Sequence, residues 1–149
     1  MDATYRVFII VNRPQGEVYE AVADPAQLSA YFTTGGARGR AEAGATVQWE
    51  SADFPGAFPV RVLEAAAPDR IVLEWRTSEP GADYPIEVTI RFSQVTQERT
   101  RVEIEERGWP AEASAIHASY GNCMGWSQML AALKMWMEHG VNLREGAYI

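Results

Sequence analysis

The chain has 149 residues, 47% of them apolar and 22% charged, and a formal net charge of -7 at neutral pH. That length suits one domain and buries about 70% of the unfolded surface, so no staple is needed to complete a core. The acidic balance disfavours nucleic acid and anionic lipid as partners, and the lone Cys123 excludes an intrachain disulfide and fits a reducing cytoplasm.

TYRVFIIV (4–11) is rich in β-branched and aromatic residues and predicts a strand. Its apolar part, Val7 to Val11, is too short for a signal peptide or a membrane span. RPQGEVYEAVAD then predicts a helix with Pro14 as its first residue and Val18, Ala21 and Val22 on one face. DPAQLSAYF restarts a short helix, with Asp24 as N-cap and Pro25 at the first helical position. TTGGARGRAEAGA is rich in glycine and reads as a loop.

From Thr46 to Gly108 the period is close to two. TVQWES, FPVRVLE, RIVLEWRT, YPIEVTIRF and RTRVEIEERG each alternate apolar and polar residues, which belongs to an antiparallel sheet with one covered face. AAAPD is a turn, and GWP (108–110) reads as a breaker ending the last strand. Beyond it a helical pattern runs to Gly140, with Ile116, Cys123, Trp126, Leu130, Leu133 and Met137 within one arc. Gly121 and Gly125 fall roughly opposite that arc. There they leave carbonyls open to water and favour a helix that curves round its core, with Trp126 as the inner anchor.

These pieces predict an α+β chain in helix-grip arrangement: an antiparallel sheet wrapped around a long C-terminal helix, with two short helices after the first strand. NRPQGEVYEAVADPAQLSAYF, AAAPDRIVLEW, RTRVEIEERG and GWSQMLAALKMWM, in that order, resemble the START/Bet v 1-like superfamily. Within it they are most similar to the small domain related to the C-terminal part of the activator of the Hsp90 ATPase. Residues 33–46 depart from that family, which often carries a tryptophan and a compact turn there. The resemblance implies one such domain over residues 1–149, with a cavity between sheet and helix; superfamily members bind lipids, hormones or polyketide intermediates in that space.

The aromatic residues carry the strongest site signal. Trp49, Phe58, Trp75, Phe92, Trp109 and Tyr120 are expected between the sheet and the long helix, as packed core or as the walls of an apolar pocket. Ile116 and Cys123 would line it from the helix, with Tyr120, Ser127, Glu106 and His117 as polar candidates. Glu106 follows Val102 and Ile104 by parity. It is either an inward carboxyl with a raised pKa or part of a strand end that twists outward; Glu64 and Glu74 raise the same question. Cys123 without a basic partner reads as a small core hydrophobe. His139 stands by a helix-ending glycine, where a cation suits the dipole. No zinc spacing, phosphate loop or Gly-x-Ser-x-Gly is present, so neither a metal nor a cofactor is expected.

Three readings follow. The first is a domain that binds a small apolar or amphipathic molecule, and the second an interaction module for an Hsp90-type chaperone. The third is a cyclase- or aromatase-type enzyme using Tyr120 and Glu106 as acid and base. The helix is apolar nearly all round, so either the short helices or a second copy in a homodimer would cover its other side.

Overall fold

A sheet whose strands alternate in burial needs one covering layer, and the long helix supplies it. The computed structural model describes residues 3–149, apart from the side chains of Phe54 and Pro55. Strand β1 (Ala3–Val11) is followed by helices α1 (Gln15–Ala23) and α2 (Pro25–Tyr31). Strands β2 (Gly36–Arg38), β3 (Thr46–Ser51), β4 (Phe54–Ala66), β5 (Arg70–Arg76), β6 (Pro85–Thr96) and β7 (Arg99–Trp109) then lead to helix α3 (Ala113–His139). The seven strands form one antiparallel sheet in the order β1-β7-β6-β5-β4-β3-β2. Only the β1–β7 pairing is non-sequential, because the first strand closes against the last.

The short helices begin as their prolines dictate. Asp24 accepts a hydrogen bond from the Ala26 amide at 2.9 Å and Pro25 opens α2, whereas Pro14 stands at the N-cap of α1, one place outside its expected position. Helix α3 ends at Gly140, in the left-handed region at φ 67°, and His139 occupies its last turn.

Strands β4 and β6 run longer than the alternation predicts, and two further boundaries bear on the site. The glycine-rich 33–45 segment contains β2, an edge strand whose Gly36, Ala37 and Arg38 pair with Glu50, Trp49 and Gln48. Gly35 admits this pairing by close approach, since a Cβ there would lie 2.7 Å from Glu50 Cγ. Nor does β7 break at Gly108; it continues to Trp109. Gly108 sits at φ 106° with Pro85 carbonyl oxygen 2.8 Å from where a Cβ would be, so the strand bends there instead of stopping.

The core lies between the sheet's concave face and α3, with α1 and α2 closing one end. Val60, Val62, Ile71, Leu73, Ile86, Val88, Ile90, Val102 and Ile104 are fully enclosed from the sheet side. Ala115, Ser119, Trp126, Met129, Leu130 and Leu133 meet them from α3. On the outer face, Glu105 is only 3% exposed beneath Arg6, Arg91 and Arg107. Its pKa is held down at about 2, first by the hydrogen bond from Arg91 and then by Arg107, against the cost of burial.

Candidate functional site

The inward stripe of α3 is turned from its expected phase, and this decides what builds the site. It runs through Ala115, Ser119, Asn122, Trp126, Met129 and Leu133, with Ile116 and Cys123 half-buried on its flank. A purely apolar stripe misses this phase because a serine and an asparagine sit in it. Ser119 tolerates burial by donating to the Ile116 carbonyl at 2.6 Å.

The turn at Gly108 has a second consequence. Glu106 and Trp109 are three apart, so in a regular strand they would face opposite sides. Alternation already faces Glu106 inward, and the bend, matched by a register shift against β1 between Ala3 and Tyr5, turns Trp109 in beside it; both are fully buried. Trp109 Nε1 donates to Glu106 Oε1 at 2.9 Å. Trp126 Nε1 donates to the other oxygen at 2.8 Å, and Asn122 Nδ2 donates to Oε1 at 3.1 Å.

Glu106 is therefore a buried carboxyl held by neutral donors alone. Burial pushes its pKa up, while hydrogen bonding, from Trp126 above all, pulls it back. The Tyr5 hydroxyl is buried beside it, near enough to respond to its charge but without hydrogen-bond geometry. Tyr5 is pushed well above the usual phenol range, chiefly by burial, then by Glu106, with a smaller contribution from Cys123.

Beside this cluster lies a laterally open cleft of about 430 Å³, lined by Phe58, Pro59, Trp75, Arg76, Thr77, Ser78 and Asn122. Trp75 forms one wall and stacks on Trp126, with ring centroids 5.3 Å apart and planes 13° from parallel. Phe58 meets Trp75 edge-on at 5.6 Å and keeps 40% of its surface exposed. At the polar end, Ser78 Oγ donates to Asn122 Oδ1 at 3.0 Å. Asn122 thus joins the cleft to the buried carboxyl.

Of the residues expected at a pocket, Phe58 and Trp75 line this cleft, and Glu106 stands one side chain behind it. Trp49 is buried behind them, edge-on to Phe32, Phe58 and Trp75. Phe92 is enclosed elsewhere, against Tyr19 under α1. Trp109 packs edge-on to Tyr84. Cys123 and Ile116 sit on the helix flank.

Three of the expected residues lie on the surface instead of inside. Tyr120 is 63% exposed, against His117, which is itself exposed and not at a cavity mouth. Ser127 is also exposed, its hydroxyl donating to the Cys123 carbonyl at 2.9 Å. The cause is the helix phase: both side chains lie roughly 100° round from Trp126, beyond the buried arc. Tyr120 and Glu106 accordingly do not converge, and the acid–base pair of the third reading is not formed. Glu64 and Glu74 form outer-face ion pairs with Arg70 and Arg61.

Asn122, Ser78 and Tyr5 escaped the sequence reading. Asn122 could have been found from its place four residues before Trp126, on the same helix face; Tyr5 and Ser78 carry no signal short of the fold. Among the described residues, no cluster of three or more His, Cys, Asp or Glu could hold a metal ion. No helix among them is long and apolar enough to cross a membrane.

An antiparallel sheet curved about one long helix, with two short helices after the first strand, defines a helix-grip domain. Residues 12–138 match the family described as activator of Hsp90 ATPase homolog 1-like protein, and the chain belongs to that family. No curated protein matches it. Among solved structures it is similar to the protein SSP2350 from Staphylococcus saprophyticus, at 23% identity over 95% of this chain and 96% of that one, with TM-score 0.79. It is also similar to the Aha1 dimer from Colwellia psychrerythraea, at 17% identity over 93% of this chain and 98% of that one, with TM-score 0.75. PFC0360w, an HSP90 activator from Plasmodium falciparum, aligns at 18% identity over 84% of this chain and 88% of that one, with TM-score 0.69. At these identities the likeness is one of fold.

Proposed function

We propose that this domain binds a small apolar or amphipathic molecule in the cleft between Phe58, Trp75 and Asn122. The observation that carries this reading is the pairing of partly exposed aromatic walls with a convergent polar end. Phe58 remains 40% exposed beside a 430 Å³ space, whereas Trp49, on the same aromatic cluster, is 2% exposed. Apolar walls with a few fixed polar groups are the usual make-up of a small-molecule site. The cleft lies where the sheet meets α3 and opens to the side, while Trp49, Trp109 and Trp126 fill the interior.

Native mass spectrometry of the purified chain, with 2-naphthol added if the protein is empty, tests this reading. A noncovalent adduct that disappears in Trp75→Ala is the expected result. A clean apo mass, with no naphthol adduct at millimolar concentration, refutes it.

A second reading, contact with an Hsp90-type chaperone or with a second copy, is favoured by the exposed outer face of α3. Tyr120 and Met124 are 63% and 60% exposed there, and no Asp, Glu, Lys or Arg occurs from Ala113 to Leu133. Retention of the cognate chaperone on immobilised protein, lost in Tyr120→Ser/Met124→Ser, would support it. A monomeric mass in light scattering at micromolar concentration would remove the homodimer.

A further inference from the structure

The polar end of the cleft has a fixed hydrogen-bonding sense, and a buried residue sets it. Trp109 donates to Glu106 Oε1, and the ionised carboxylate has no hydrogen of its own to give, so Asn122 meets it with its NH2 group. The asparagine amide is thereby locked, with Oδ1 turned towards Ser78, whose hydroxyl spends its one hydrogen on it. What this pair leaves for the cleft is acceptor capacity: a free lone pair on Asn122 Oδ1 and the lone pairs of Ser78 Oγ, while the neighbouring Thr77 hydroxyl oxygen accepts from the Glu79 amide at 3.1 Å. Arg76, the charged donor of the lining, has its Nε bonded to Asp83 at 2.6 Å and lies largely in solvent.

Resting on the small-molecule reading above, we propose that the cleft selects a ring-bearing ligand that presents a hydrogen-bond donor, an O–H or N–H, to Asn122 Oδ1 and Ser78 Oγ. Glu106 is the positioning residue that imposes this preference without touching the ligand. The ring lies against Phe58 and Trp75, and the donor reaches the polar end. A ligand offering only an acceptor there would leave two oxygens facing a third, which desolvation makes unfavourable.

Isothermal titration of the full chain with 2-naphthol and 2-methoxynaphthalene tests this, since the two share a ring system and only the first carries a donor. The expected result is tighter binding of 2-naphthol by roughly three- to tenfold, the weight of one hydrogen bond at a partly buried site. Asn122→Leu keeps the shape of the wall but removes the amide, and both probes should then bind with similar affinity. In Glu106→Leu no acceptor holds the asparagine NH2, the amide is free to turn, and the preference should fall towards unity. A role confined to packing would weaken both probes together and leave their ratio unchanged. Equal affinities in the native chain, or a ratio untouched by Asn122→Leu, overturn the donor preference while leaving the cleft reading standing. Binding of neither probe overturns both. If Glu106→Leu lacks native circular dichroism, Asn122→Leu alone decides.

Discussion

Trp126→Phe tests the buried cluster most sharply, because its cost divides into two parts that respond differently to pH. The substitution removes the N–H that donates to Glu106 at 2.8 Å, a bond to a charged acceptor worth about 1.5–3 kcal/mol. It also contracts a 2%-exposed ring stacked on Trp75. The resulting void of roughly 40 Å³, at about 24 cal/mol per Å³, adds about 1 kcal/mol. The sum of about 2.5–4 kcal/mol lowers Tm by roughly 5–16 °C for a chain of this size.

Burial already raises the Glu106 pKa in the folded state, and Trp126 is the strongest group opposing that rise. Removing it raises the folded pKa further. A raised carboxyl pKa favours the fold below the unfolded value near 4.5 and costs stability as pH climbs through the folded value. The hydrogen-bond share of the loss is thus present at pH 7 and much smaller at pH 4, whereas the void costs the same at both. Urea denaturation followed by far-UV circular dichroism at the two pH values measures the difference. Equal losses at pH 4 and pH 7 would refute the account of Glu106 as a buried acceptor.

Other consequences are simpler to read. Gly121→Ala and Gly125→Ala should each stabilise the chain by up to about 1 kcal/mol, since a Cβ at either position meets nothing within 4 Å; a loss in thermal melts would mean that something packs there. Gly108→Ala should cost about 1–3 kcal/mol and disturb the tryptophan fluorescence, because φ is 106° and Pro85 oxygen lies 2.8 Å from the new carbon. Asp53→Ala breaks a buried pair in which Arg144 donates from Nε and a terminal nitrogen at 3.0 Å each. It should cost about 3–5 kcal/mol in urea melts, and a loss below 1 kcal/mol would show the pair to be solvated. Glu105 and Glu138 both have pKa values depressed to about 2; for Glu138, hydrogen bonds from Lys134 and Asn12 prevail over its burial. Depressed carboxyl values stabilise the fold above the unfolded pKa, so stability should fall as pH drops from about 4.5 towards 2, and Glu105→Gln should flatten that acid limb.

The sequence by itself determined the frame of this protein. Period-two alternation from Thr46 to Phe92 placed the strands and their buried faces, because one covered face leaves no other register for Val60, Leu73 or Ile90. Asp24-Pro25 fixed the start of α2, and Gly140 the end of α3, since caps act locally. Phe58 and Trp75, which line the cleft, were legible as aromatics near the helix, but type and parity did not separate them from Trp49, Phe92 and Trp109. Tertiary structure decided the rest. The bend at Gly108 set Glu106 and Trp109 on one face in defiance of alternation, and the phase of α3 brought Asn122 inward and turned Tyr120 out. Both depend on which donors can reach one buried carboxyl, and those donors come from β7 and α3, segments that meet only after the chain has closed its sheet.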